Sequence, residues 1–531
     1  MEWLSGRIML LSGGRRAFLA FFAGLLTVLA LPPFGIFAAP FLSFPVLVWL
    51  MDGASGNPDH GRIRRAFPAF VIGWCFGFGY LLGGLWWLGN ALLVEADEFA
   101  WALPLAVIGL PAFLAIYYGL ATAIARVLWS DGIGRIAALA LAFGICEWLR
   151  GTLMTGFPWN AIGYAAMPVP LMMQSAVVFG LAGMNMLAVF AFSAPALIGT
   201  RKGAVPGLVL AGLLVVAHFG YGYWRLNDQP AALADGTTSV RLVQPVIDQA
   251  LKLDDAARAD IFTSHLELTT AAPAEGAKRP DIVVWPETSI PFLLTDNPDG
   301  LLSIADALQE GQILIAGAVR AENAGAGLPP RYYNSVYVID DQGQIVGAAD
   351  KLHLVPFGEY LPFENVLNSF GLKSIAAAMP GGFSAAATRT PLTLPKGKVL
   401  YPLICYEAIF PGEIGNVALS TDALLNVTND AWFGDTPGPY QHFQQAQLRA
   451  VETGVPLIRG ANSGISAVVN GLGEVVSGAS FNVRGVVDTI LPGKSRIPFE
   501  PDQQKRNALI VAAMFLAVAL FSRPSFILRA N

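Results

Sequence analysis

The chain has 531 residues, 54% of them hydrophobic and 13% charged, with a formal net charge of −5. Soluble chains carry about 25% charged residues, so a bilayer is expected to be part of the solvent; a weakly acidic chain with no long basic run is not built to bind nucleic acid. Its three cysteines (Cys75, Cys146, Cys405) form no CxxC pair and its five histidines no HExxH, so neither a disulfide framework nor a metal site is expected.

A membrane span needs about 20 predominantly apolar residues. Runs near 16–32, 35–51, 67–93, 101–125, 136–150, 170–198 and 204–222 predict a membrane domain of about seven helices over residues 1–222. A further run near 507–522 predicts one more span within 506–531. The runs at 35–51 and 136–150 are short. Arg15 and Arg16, then Arg62, Arg64 and Arg65, then Arg126 and Arg135, then Arg201 and Lys202 fall in alternate loops. The loops between them are poor in Lys and Arg, and 94–100 carries Glu95, Asp97 and Glu98. The positive-inside rule then puts the N-terminus in the cytoplasm and residues 223–505 outside, with Arg523 and Arg529 back inside. Lys505 and Arg506 run against the rule, from which long exported domains are exempt. The first run leads straight into a second, so an uncleaved helix is expected rather than a signal peptide.

Residues 223–505 read as a different kind of chain. Short β-rich runs recur at 239–244, 281–285, 312–318, 334–340, 398–404, 422–427 and 457–469, with helical patterns at 251–273 and 441–454. Apolar strands alternating with helices predict a largely buried sheet in an α/β or α+β domain. The Ala- and Gly-rich stretch 371–388 reads as a mobile loop.

Three segments of this domain place a reactive residue just past a strand, where loops present function. Asp281-Ile-Val-Val-Trp-Pro-Glu287 runs a strand into Trp285-Pro286, and Pro286 ends the ladder. A carboxylate there, beside an indole, is partly desolvated and suits a general base. In Asp350-Lys351-Leu-His353-Leu-Val-Pro-Phe-Gly-Glu359-Tyr360, Lys351 is placed to hold an oxyanion or favour a thiolate, and Glu359 to orient a partner. Val399-Leu-Tyr-Pro-Leu-Ile-Cys405-Tyr406-Glu407 ends a strand on a thiol. Taken singly, a loop glutamate, a solvated lysine and a buried inert cysteine are the better readings. A thiol becomes nucleophilic beside a cation or a base, which Lys351 and Glu287 provide if the fold gathers them. His353, two residues from Lys351 and on the same face of a strand, stays open as a partner base. His442 falls in a helical pattern and reads as structural.

Together the three segments resemble the nitrilase (carbon–nitrogen hydrolase) superfamily, whose Glu, Lys and Cys follow this chain order on an αββα sandwich. With the helices added, the chain is similar to the membrane branch of that superfamily, the apolipoprotein N-acyltransferases. VPFGEY at 355–360, ICYE at 404–407, NDAWFG at 429–434 and GFPWN at 156–160 carry the likeness. The resemblance implies an α-helical membrane bundle of about eight transmembrane helices plus an extracytoplasmic αββα nitrilase-like domain, in the bacterial inner membrane with the catalytic domain periplasmic. It implies that a phospholipid donates its sn-1 acyl chain to Cys405 as a thioester. The α-amine of an S-diacylglyceryl cysteine at the N-terminus of an apolipoprotein then takes it. Glu287 is implied as general base in both halves, Lys351 as oxyanion holder, and Glu359 as support of either Lys351 or the oxyanion. Tyr406 and Glu407 match further required positions, and Trp285, Trp432, Tyr360 and Phe363 are candidate substrate contacts. No cofactor is implied.

One departure stands out. Where the family reads VQ-x-N-I-x-Q-x-x-K-W, this chain has Val246 for the asparagine and, after Lys252, Leu253 for the tryptophan. Trp285 and Trp432 are candidate replacements. Residues 359–388 have an apolar side (Tyr360, Leu361, Phe363, Val366, Leu367, Phe370, Leu372) that suits either an arm dipping into lipid or a packed loop. Three rivals fit less well. A tethered amidase needs one helix, not eight. A transporter places charge within its spans, and here only Glu147 and Arg150 come close, at the end of one run, where they could face a lipid-substrate cavity. A binding module has no reason to keep Glu287, Lys351 and Cys405 together.

Overall fold

The structure, a computed structural model, describes every residue except 55–61, 201–202, 229–237, 274–278, 326–327, 364–381 and 524–531. Arg201, Lys202, Arg529, Val366, Leu367, Phe370, Leu372 and most of the 371–388 loop therefore lie outside the described residues. The chain divides into two compact units. One is Met1–Gly89 with Ala102–Asp228 and Ile497–Asn531; the other is Asn90–Trp101 with Gln229–Arg496.

Among the described residues of the chain, seven helices are long and apolar enough to cross a membrane: Gly13–Ala30, Arg64–Leu93, Ala96–Val127, Ile133–Thr155, Ala176–Gly199, Ala204–Asp228 and Pro501–Phe521. The 35–51 run forms a helix of only 13 residues, Pro40–Asp52. At 1.5 Å per residue that is about 20 Å, short of the ~30 Å hydrocarbon core. Small residues bring neighbouring helices into backbone contact, as is usual in lipid. A Cβ on Gly24 would lie 1.8 Å from the Phe76 carbonyl oxygen, and one on Gly79 2.0 Å from that of Phe21.

Glu147 and Arg150 do not face a cavity. Their side chains pair at 2.6 Å and are almost fully buried. Tyr118 donates to Glu147 Oε1 at 2.7 Å, and Arg150 Nη1 donates to the carbonyls of Phe157 and Trp159. A charge pair buried this way is tolerable only because both partners are matched and hydrogen-bonded. Here it fixes the GFPWN turn.

The second unit is built on two six-stranded sheets. The first has strand order β12-β1-β2-β3-β4-β5: β12 (Gly485–Ile490), β1 (Ser239–Gln244), β2 (Ile282–Val284), β3 (Ile313–Glu322), β4 (Arg331–Asp340) and β5 (Ile345–Asp350). The second has order β11-β10-β9-β8-β7-β6: β11 (Val475–Ala479), β10 (Ser466–Val469), β9 (Leu457–Ala461), β8 (Ala423–Thr428), β7 (Val399–Ile404) and β6 (Leu392–Thr393). Strands β1, β2 and β3 are parallel, as are β7, β8 and β9, and the flanking strands pair antiparallel. The two parallel triplets are the apolar runs of the sequence, because strands buried on both faces lose the in–out alternation.

Val240, Leu242, Ile282, Val284 and Ile315 of one sheet meet Leu400, Ile404, Leu425, Val427 and Ile458 of the other in a single core. Helices Arg258–Thr270 and Pro298–Ala307 cover the outer face of the first sheet through Phe262, Leu268 and Ile304. Helix Gly438–Thr453 covers the second through Ala446 and Ala450. The layers are therefore αββα, as the resemblance implied. The expected strand 457–469 is two antiparallel strands with a turn between, and β5, β6, β11, β12 and the helix Pro298–Ala307 were not expected. Leu425 is fully buried between the sheets. Leu425→Ala is expected to cost about 2–5 kcal/mol, measured as a lower denaturation midpoint of the purified full-length protein.

Candidate active site

The ends of β2, β5 and β7 converge on Lys351. Glu287 follows β2, Lys351 follows β5 and Cys405 follows β7. Lys351 Nζ donates to Glu359 Oε1 at 2.9 Å and lies 3.4 Å from Glu287 Oε1, with its side chain 1% exposed. Asn334, in the middle of β4, ties the two carboxylates together: its Nδ2 donates to Glu287 Oε1 and to Glu359 Oε1, both at 2.8 Å. The second oxygen of Glu287 accepts from the Asn429 backbone N–H at 3.0 Å, and that of Glu359 from Val355 N–H at 2.8 Å. Burial opposes the charge on Lys351, but Glu359 and Glu287 outweigh it and hold its pKa above the ordinary lysine value.

Cys405 is buried and has a left-handed backbone, φ +49, a conformation uncommon outside glycine. Burial pushes its thiol pKa well up, and Glu287 adds to that, while Lys351 pulls the other way. The raised pKa favours the neutral thiol. The Thr428 hydroxyl lies 3.2 Å from Sγ and 3.0 Å from Asp430 Oδ1. Its single proton serves one neighbour at a time, so it can donate to Asp430 beside a thiol and to sulfur beside a thiolate.

Behind the cysteine, His442 Nε2 donates to the Cys405 carbonyl at 3.1 Å, and Asp430 pairs with Arg459 at 2.7 Å. Burial would raise the Asp430 pKa, but Arg459 and His442 hold it down at about 2. His442 is thus structural, as its helical setting suggested. His353 is not a partner base: it pairs with Glu413 and stacks on Phe410 with centroids 3.8 Å apart.

Glu407 is fully buried. Its Oε1 accepts from the N–H groups of Leu352 and His353, and its Oε2 from Ile404 N–H and Arg389. It clamps the Lys351 loop to the end of β7. Tyr406 packs against His353 and Phe410. Trp285 does not join the site. It is fully buried, donates to Thr269 Oγ1 and packs on Phe262 and His265, on the helix-covered face of its sheet. Leu253 is exposed. Trp432 is half-buried, and its carbonyl accepts from Asn90. Tyr360 is half-buried, with its carbonyl accepting from Phe357 N–H at 2.8 Å, and Phe363 is 75% exposed.

The Glu287 turn is seated on Gly317 of β3. Gly317 N–H donates to the Pro286 carbonyl, and Ser289 N–H donates to the Gly317 carbonyl at 2.9 Å. A Cβ on Gly317 would stand 2.4 Å from the Pro286 oxygen and 2.6 Å from the Glu287 Cα. Sequence reading missed Asn334, Gly317, Thr428 and Arg459. Asn334 was readable only as a polar residue inside an apolar strand.

The sandwich and its gathered Glu, Lys and Cys define a carbon–nitrogen hydrolase domain, and the carbon–nitrogen hydrolase family matches residues 239–492. The family of apolipoprotein N-acyltransferase N-terminal domains matches residues 23–194. Curated relatives called apolipoprotein N-acyltransferase, from Sinorhizobium fredii and from Rhizobium meliloti, are each 66% identical over 533 residues, covering all of both chains. One from Agrobacterium fabrum is 60% identical over 531 residues, again covering all of both chains. This chain belongs to the apolipoprotein N-acyltransferase family. Among solved structures, an amidase from a Nesterenkonia species is 17% identical, covering 50% of this chain and 92% of its own, with a TM-score of 0.34.

Gly317→Ala is expected to displace Glu287 and lower acyl transfer on the order of a hundredfold, the scale of an ångström misplacement at a reacting centre, measured by steady-state kinetics. Because the raised thiol pKa leaves little thiolate at neutral pH, alkylation of Cys405 should be slow at pH 7. Its rate should still be climbing at pH 9, above the ordinary thiol value of about 8.5; a plateau below pH 8 in a pH–rate profile would contradict this.

Proposed function

We propose that this protein moves a fatty acyl chain from the sn-1 position of a membrane phospholipid to the α-amine of an N-terminal S-diacylglyceryl cysteine of an apolipoprotein, through a thioester on Cys405. The observation that carries this reading is the meeting of Glu287, Lys351, Glu359 and a buried Cys405 on one edge of the sandwich, in a chain that also supplies membrane helices. Both lipids live in the bilayer, so an enzyme acting on them belongs in the bacterial inner membrane. The charge pattern of the loops favours a periplasmic catalytic unit.

In the first half-reaction Glu287 takes the thiol proton as sulfur attacks the ester carbonyl. Lys351 holds the oxyanion of the tetrahedral intermediate. Collapse breaks the C–O bond, and the lysophospholipid leaves with the proton returned by Glu287. In the second, Glu287 takes a proton from the attacking α-amine. The new C–N bond forms, the C–S bond breaks, and the thiolate recovers a proton. Glu359 and Asn334 position Lys351 and Glu287, while Glu407 and Tyr406 shape the turn that carries the thiol. A thioester keeps acyl-transfer potential and splits one exchange into two steps, provided that water is excluded.

Incubating the purified protein with phospholipid should give an acylated Cys405 peptide that hydroxylamine strips, seen by mass spectrometry. Cys405→Ala should lack both the adduct and activity. An active Cys405→Ala protein without any adduct would remove the mechanism.

A further inference from the structure

The second unit holds a cavity of about 370 Å³ that neither Cys405, Lys351 nor Glu287 lines. Its wall is made by Asn90 and Val94 from the segment Asn90–Trp101, by Asp248 and Gln249 after β1, and by Asp430 and Asp435 after β8. It opens on the same edge as the reactive residues, since β1, β2, β7 and β8 all deliver their carboxyl ends there, as loops of parallel sheets do. One residue separates it from the general base. The Asn429 backbone N–H donates to Glu287 Oε2 at 3.0 Å, while its side-chain Nδ2 donates to Gln249 Oε1 at 2.5 Å.

We infer that this cavity is the subsite for the first residues of the acceptor polypeptide beyond its lipid-bearing cysteine; the inference rests on the reaction just proposed. An amine presented to Glu287 carries its next two residues about 7 Å further on, at 3.3–3.6 Å per extended residue, and Asn429 links Glu287 on one side to Gln249 of the cavity wall on the other. The lining sets amides and carboxylates beside Leu93, Val94, Val246 and Phe481, a mixed surface that suits a short peptide with its backbone amides better than an acyl tail alone. Among the described residues its lining contains no lysine, arginine or histidine, so a phospholipid headgroup would bring its phosphate against carboxylates without a lining cation to meet it. Asp430 is neutralised by Arg459, whereas Asp248 and Asp435 are exposed at the rim. The subsite therefore favours basic or uncharged residues after the cysteine and disfavours acidic ones.

The test uses the full-length enzyme in phospholipid nanodiscs with two diacylglyceryl-cysteinyl peptides, one continuing Lys-Lys and the other Asp-Asp. Acyl-Cys405 formation is followed separately. The wild type should prefer the lysine peptide in kcat/KM by on the order of tenfold, the ratio that a few partly screened charge pairs provide. Asp435→Lys should erase or invert that preference, with the rate of acyl-Cys405 formation unchanged. Val94→Trp, which fills the cavity from a different segment, should raise KM for both peptides and leave acyl-Cys405 formation alone. An unchanged peptide ratio in Asp435→Lys, with acyl-Cys405 forming and both peptides turned over, overturns the inference. So does slowing of acyl-Cys405 formation as large as the effect on peptide, which would give the cavity to the donor headgroup. A wild-type protein that forms no acyl-Cys405 overturns the reaction itself.

Discussion

An ammonium group taken out of water loses several kcal/mol of solvation, recovered only if opposite charge and hydrogen bonds surround it. Lys351 sits under that constraint with 1% of its side chain exposed. Two carboxylates answer it, Glu359 and Glu287, and they reach it from separate places: the turn after β2 and the loop after β5. Two carboxylates this close would repel each other without the cation and without Asn334, whose amide nitrogen touches both. Removing any one member leaves a buried charge or a buried donor unmatched. The pairing that stabilises Lys351 therefore also holds Glu287 in place. Burial and the Glu287 charge keep the Cys405 thiol protonated. In the reaction proposed above, moving that proton onto Glu287 relocates a negative charge without adding one, so the charge balance around Lys351 is conserved.

Backbone strain follows the same geography. Thr288 beside the base has φ +46, Cys405 has φ +49 and Val246 after β1 has φ +55. For β-branched Thr288 and Val246 such angles are true outliers, and they persist only where surrounding contacts over-determine them. Those contacts are present. The amine of Lys252 lies 3.3 Å from the carbonyls of Glu287 and Thr288. Asn462 grips Ile247 through both its N–H and its carbonyl, and Asn462 in turn holds the Asn429 side chain. His442 and Asn426 reach the Cys405 carbonyl. Each of these three turns lies past the carboxyl end of a strand, so the sandwich core holds the ends rigid while the turns orient Glu287 and Cys405.

The candidate site residues were legible because their order along the chain is itself informative: Glu287 and Cys405 each follow an apolar run, and Lys351 stands between them in a segment whose strand was not foreseen. The parallel strands were legible for the same reason, since burial on both faces writes an unbroken apolar stretch. The outer strands were not. In β11 no residue is buried and in β12 only one is, and Val475–Ala479 or Gly485–Ile490 carry no pattern that separates an edge strand from a loop. Asn334 shows the other limit. Its role depends on facing two carboxylates 47 and 25 residues away in sequence, and no local pattern encodes that. Trp285 failed in the opposite sense. It stands two residues from the base, but the alternation of the strand turns it to the helix-covered face.

That alternation explains why a domain of this kind can serve a bilayer substrate without altering its catalytic edge. Residues facing the intersheet core and residues facing the helices are both committed to packing, so neither face of the sandwich is free to bind substrate. Recognition must come from the loops at the carboxyl ends, together with whatever segments pack there. Asn90–Trp101 is such a segment: it interrupts the first unit in sequence yet packs with the second, and Asn90 donates to the Trp432 carbonyl beside the Asp430 network. The catalytic geometry is thus fixed by the sandwich core. Asn90–Trp101 adds to that edge a wall that the sandwich itself does not supply.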